Sequence, residues 1–132
     1  MNKLVVHTAV GRIVKGQSSD FSASKDFFHL VCLDPPGKTI KVPLVNLKAV
    51  FFVKDFKGDP AYKESKDFSK ASGYGKRVKI IFHDGETFHG ISDAIHRNRI
   101  GFFILPVDPD ANTIRAFVLN EAIALIEEVD PL

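Results

Sequence analysis

The sequence predicts an all-β protein made of two tandem five-stranded small β-barrels related by internal duplication. Three observations carry that expectation. The chain aligns with itself at an offset of 74 residues without a gap. Each half contains five short apolar runs bounded by turn residues. A polar Gly/Ser/Lys-rich stretch, DFKGDPAYKESKDFSKASGYG, separates the halves and reads as a linker with one helical turn. The expected organisation is a first unit at 1–55, a linker at 56–75 and a second unit at 76–132.

The self-alignment places Gly11 on Gly85, Gly16 on Gly90, Ser18 on Ser92 and Phe28 on Phe102. It also matches Asp34-Pro35 with Asp108-Pro109, Thr39-Ile40 with Thr113-Ile114, and Asn46 with Asn120. These are nine identities, where chance over about fifty positions gives roughly three. A repeat of this length points to one supersecondary unit used twice.

Within the second half, Val78, Ile80 and Phe82 alternate as in a half-buried strand. A three-residue loop, His83-Asp84-Gly85, keeps Phe88 opposite Ile80, on the apolar face. Ala9-Val10-Gly11 does the same for Val14 and Val6 in the first half. Gly11 and Gly85 then supply the positive φ of the loop, and Gly16 and Gly90 the bend of a small barrel. Third strands follow at FFHLVCL and GFFILPV, and fourth strands at KTIKVPL and NTIRAFVL. Short breaks at Val45-Asn46-Leu47 and Leu119-Asn120-Glu121 precede the fifth, KAVFFV and AIALIEEV. NEAIALIEEV also fits a helix, but its repeat mate LKAVFFV is β-branched and aromatic, which favours strand for both.

KAVFFV is apolar on both faces, Val50 and Phe52 on one and Phe51 and Val53 on the other. A strand buried on one side alternates with polar residues. Phe51 and Val53, with Phe102 and Phe103, are therefore interface candidates, most simply between the two barrels.

The chain has 132 residues, 45% hydrophobic and 26% charged, with twelve Phe and no Trp. No apolar stretch approaches the roughly 20 residues of a membrane helix. MNKLVVHTAVGRIVKG makes a poor signal peptide. Cys32 is the single cysteine, so no intramolecular disulfide forms. A cytoplasmic protein is expected. Residues 1–54 carry eight Lys/Arg against three Asp, a balance of +5, whereas residues 78–132 carry four basic against nine acidic groups, −5. That asymmetry suits ordinary solvated surface, an anion site in the first half, or attraction between halves or molecules.

The second unit resembles the Sm-like family, whose fold is an SH3-like small barrel and whose bacterial member is an RNA chaperone. The likeness rests on V-x-I-x-F-x-D-G-E-x-F-x-G at Val78–Gly90 and F-V-x-x-x-A-I at Phe117–Ile123. The complete chain also resembles an uncharacterised group of bacterial proteins sharing LKAVFFVKDF-x-GD, here Leu47–Asp59, in which such units accompany cyclic-dinucleotide-sensing PilZ domains. The Sm-like resemblance implies RNA binding through loops after the second and fourth strands. Those loops map to His96-Arg97-Asn98-Arg99 and Leu119-Asn120-Glu121, and in the first unit to Ser22–Lys25 and Val45-Asn46-Leu47. Asn98 and Asn120 would read base edges, with Arg97 and Arg99 holding phosphate. The bacterial chaperone has Lys-His where this chain has Asn120-Glu121, and Glu121 would repel phosphate. Asn46 and Asn120 equally suit turn and cap positions.

The PilZ pattern R-x-x-x-R with [DN]-x-S-x-x-G fails twice. Gly16 stands four residues after Arg12, and Lys25 occupies the final glycine position after Asp20-Phe21-Ser22. A cyclic dinucleotide is therefore not expected, although a looser anion site using Arg12, Lys15 and Lys25 remains open. The five histidines lack convergent zinc-ligand spacing, and no nucleophile-elbow or Gly-rich phosphate motif occurs. The expectation is a non-catalytic binding or regulatory module without metal or cofactor. It would act through protein–protein contacts, self-association included, or on a small anionic ligand. RNA binding through 96–99 and 119–121 is the alternative.

Overall fold

Ten strands form one antiparallel sheet in the computed structural model, which describes residues 1–70 and 74–129. Residues 71–73 of the expected linker and 130–132 of the expected second unit lie outside the described residues. The strands are β1 Asn2–Thr8, β2 Ile13–Ser18, β3 Phe27–Cys32, β4 Thr39–Pro43, β5 Leu47–Val53, β6 Lys76–Phe82, β7 Thr87–Ser92, β8 Gly101–Pro106, β9 Thr113–Leu119 and β10 Ile123–Glu128. Their order across the sheet is β10-β6-β7-β8-β9-β5-β1-β2-β3-β4. Single turns of 3-10 helix occur at Phe68–Lys70 and Asn120–Ala122. The NEAIALIEEV segment is thus a helical turn leading into a strand.

The first hairpins follow from their loops. Thr8 pairs with Arg12 and Phe82 with Glu86 through N–H···O bonds of 2.9 Å each, enclosing three residues. Gly11 and Gly85 close these loops at φ 88° and 89°, where an L side chain is strained. The resulting register sets Val6 against Val14 and Ile80 against Phe88.

The apolar residues gather in two clusters that share the central strands. Leu4, Val6, Phe28, Leu30, Val50 and Phe52 form the first, which also takes Phe117 and Leu119 from β9. Val78, Ile80, Phe82, Phe102, Ile104 and Val118 form the second, which takes Ala49 from β5 and has Phe51 packed against it. β5 and β9 pair directly, Val50 with Phe117 and Phe52 with Arg115. Each therefore buries both of its faces, as apolar residues on alternate sides require.

The segment between β5 and β6 is tied down by named contacts. Buried Asp108 accepts hydrogen bonds from Tyr62 Oη at 2.5 Å and Ser65 N at 2.8 Å. The Asp108 carboxylate raises the Tyr62 hydroxyl pKa to about 12. Asn112 Nδ2 donates to Asp55 O at 2.8 Å. Among the described residues, no helix is long and apolar enough to cross a membrane.

Candidate functional site

Because β5 and β9 run side by side in opposite directions, the start of one lies beside the end of the other: Ala49 pairs with Val118. The connection into β5 (residues 44–47) and the connection out of β9 (119–122) are thereby neighbours. The loop between β7 and β8 closes over them. Together these segments line a groove of about 490 Å³ that includes Asn46, Arg97, Asn98, Arg99 and Asn120. Five candidate residues, scattered over 75 positions of sequence, meet at one place.

Asn120 shapes this groove rather than presenting a free amide. Its Nδ2 donates to His96 O at 2.7 Å and Arg99 O at 2.8 Å, while Oδ1 accepts from Arg97 Nη1 at 2.9 Å. The Asn120 backbone N–H donates to Ile100 O at 2.9 Å. These bonds tie the Asn120 side chain to the 96–100 loop, as the turn role also expected for it requires. Asn46 adopts φ 70°, a left-handed turn position that asparagine tolerates. Its carbonyl accepts the Ala9 N–H at 2.9 Å, joining the β1–β2 loop to the groove wall. Arg97, Asn98 and Arg99 are exposed. Exposed Val45 and Ile100 add apolar surface, and Glu121 lies on the same rim.

The remaining candidates lie elsewhere. Arg12 and Lys15 line a separate hollow of about 660 Å³, together with Lys38 and Asp34. Lys15 Nζ also donates to Phe56 O at 3.1 Å. Lys25 sits in the exposed Ser22–Lys25 turn and lines neither hollow. Phe51 packs edge-on to His7, with ring centres 4.8 Å apart, and lies 6.1 Å from the Phe88 ring. Val53 is buried where β5 meets Thr113 of β9. Phe102 enters the second cluster while Phe103 packs on the first, 5.1 Å from Phe117.

Sequence reasoning missed the polar clamp on the central strands. Lys48 is buried, yet its Nζ reaches Asp84 at 2.6 Å and also bonds Glu86, both in the β6–β7 hairpin. The ammonium lies 4.7 Å from the Phe82 ring centre. Burial opposes the Lys48 charge, but the hydrogen bonds that its ammonium donates to the two carboxylates outweigh it and leave its pKa raised. Nearby His7 is lowered, first by its own burial and then by the Lys48 charge. A lysine inside the apolar run LKAVFFV was the available signal, since a buried cation needs carboxylate partners.

The described residues show no group of three or more His, Cys, Asp or Glu placed to hold a metal ion. No curated protein and no solved structure matches the chain. Residues 1–130 match a family of unknown function (DUF6982), and the chain belongs to that family.

Proposed function

We propose that this chain is a non-catalytic binding module built from two Sm-like five-stranded units, 1–55 and 76–132, related by internal duplication and joined by the 56–75 linker. The matching three-residue hairpin loops and the matching strand order, β5-β1-β2-β3-β4 and β10-β6-β7-β8-β9, support the duplication. The observation that carries the function is the groove at the joint. Segments from both units build it, and Arg97 and Arg99 give it exposed cations beside apolar Val45 and Ile100. A small anionic ligand with an apolar portion suits this lining, with charge-assisted bonds to the guanidinium groups. Free, buried Cys32 fits a reducing cytoplasm.

RNA is the second reading, favoured by exposure of Arg97, Asn98 and Arg99 on one loop. It is weakened by commitment of the Asn120 amide and by Glu121 on the rim. Calorimetric titration of the full chain with mononucleotides and with short RNAs, repeated over a salt series, distinguishes the two. Mononucleotide binding that Arg99→Glu weakens by about tenfold or more is the expected result, a change of about 1.4 kcal/mol. Tight RNA binding with a steep salt slope, reporting several phosphate contacts, favours the second reading. No binding of either probe at low salt overturns both.

A further inference from the structure

We propose that the hollow of about 660 Å³ on the first unit docks an extended, acidic segment of a partner protein. The hollow shares no lining residue with the groove. The inference rests on the two-unit reading, because it compares two places that lie 74 residues apart in sequence. One of them is covered by the chain's own polypeptide and the other is open.

The two places are built alike. Leu33 N donates to Lys15 O at 3.0 Å, and Val107 N donates to His89 O at 3.1 Å, the same bond at the 74-residue offset. On the second unit, the segment after β5 lies against this place. Tyr62 Oη and Ser65 N donate to Asp108 at 2.5 and 2.8 Å. Asn112 exchanges hydrogen bonds with the Asp55 backbone at 2.8 and 3.1 Å, and the Phe68 and His89 ring centres are 5.8 Å apart. Asp108, Asn112 and His89 correspond to Asp34, Lys38 and Lys15 of the open hollow. Val107 and Asp108 are 1% and 3% exposed, whereas their counterparts Leu33 and Asp34 are both exposed, Leu33 by 43%.

The lining of the open hollow specifies what would cover it. Arg12, Lys15 and Lys38 stand around it with Asp34 as the one acid in the lining, and Ile13 and Leu33 supply exposed apolar surface. Among the described residues, the side chains of Arg12, Lys38 and Asp34 form no hydrogen bond or ion pair. The Lys15 ammonium already donates to one main-chain carbonyl, Phe56 O, at 3.1 Å. Carboxylates on an incoming segment would pair with these cations, and an apolar or aromatic side chain would cover Ile13 and Leu33. Asp34 would accept a backbone N–H and a hydroxyl, as Asp108 does from Ser65 and Tyr62. That carboxylate favours a polypeptide over a nucleic acid, whose phosphates it would repel.

The test is fluorescence anisotropy of the full chain with a labelled peptide, the 59–68 sequence carrying Lys63→Glu and Lys66→Glu. Saturable binding at low salt is expected, and Arg12→Glu and Lys38→Glu should each weaken it by about tenfold or more. Replacing the peptide's tyrosine by phenylalanine should weaken binding to wild type but not to Asp34→Ala, the signature of a hydroxyl–carboxylate bond. Circular dichroism checks that the variants, all at exposed positions, are folded. Should one cation variant unfold, the other decides. No saturable binding, or binding that the folded cation variants leave unchanged, overturns the inference. So does a tyrosine effect that is equal on wild type and Asp34→Ala. A short RNA that displaces the peptide and is itself weakened by Arg12→Glu assigns the hollow to nucleic acid and overturns it as well. Arg99→Glu separates this from the proposed function, since it should weaken mononucleotide binding and leave the peptide unaffected. Mononucleotide binding without peptide binding removes only the docked segment, and peptide binding without mononucleotide binding removes only the ligand groove.

Discussion

Asp20 shows how much organisation one carboxylate carries. It accepts the His29 ring nitrogen at 2.7 Å, the His29 backbone N–H at 2.9 Å and the Ser18 hydroxyl at 3.0 Å. These bonds pin the long β2–β3 connection to β3. The His29 ring hydrogen bond is the largest cause, followed by the His29 backbone bond, of an Asp20 pKa lowered to about 2. A carboxylate lowered on folding stabilises the native state above its unfolded pKa, and that contribution is lost as pH falls through the folded value. The window is thus between about pH 4 and pH 2. Urea midpoints measured across it should fall more steeply for wild type than for Asp20→Asn. Parallel curves would show that Asp20 is not linked to folding. Solvent exposure of the pair keeps the effect modest.

At the scale of elements, the glycines separate two kinds of constraint. A methyl group at Gly11 meets nothing within 4 Å, so its requirement is the positive φ alone. At Gly16 the same methyl would lie 2.4 Å from Val31 O and 2.8 Å from Leu30 Cγ. A backbone oxygen cannot move aside cheaply, because Val31 is held between two ladders, opposite Gln17 of β2 and Thr39 of β4. Gly11→Ala should therefore cost about 1 kcal/mol, and Gly16→Ala about 2–3 kcal/mol, compared by chemical denaturation. Equal costs would mean that β2 relaxes away from β3. Both glycines were visible in the sequence as turn and bend residues. The approach of the Val31 carbonyl was not, since it depends on how β3 crosses β2. The strands themselves were legible because period-2 alternation and loop glycines are local signals. The groove was legible only in parts: Arg97, Asn98, Arg99, Asn120 and Asn46 stood out by type, but their convergence depends on β5 pairing with β9. The Asn120 hydrogen bonds depend on the same contact at one remove, because they form to a loop more than twenty residues away.

For the whole molecule, the decisive feature is that β5 and β9 each belong to both clusters. Phe117 is the sharpest case: its strand pairs β8, yet its side chain is fully buried in the first cluster. It lies between Phe21 at 5.4 Å, a contact that spans the joint, and Phe103 of the neighbouring strand β8 at 5.1 Å. Lys48 makes the reciprocal connection, reaching from β5 to the β6–β7 hairpin. Two apolar cores tied in both directions should unfold as one body rather than in sequence. Phe117→Ala removes a large buried ring, at a cost of about 3–5 kcal/mol, a large share of the roughly 5–15 kcal/mol that holds a domain folded. The expected outcome is a single unfolding transition at lower urea, with amides of β2 in the first run and β7 in the second losing hydrogen-exchange protection together. If β7 amides exchange in Phe117→Ala while those of β1 to β3 stay protected, the two runs are separate folding units and the joint is only a contact between them.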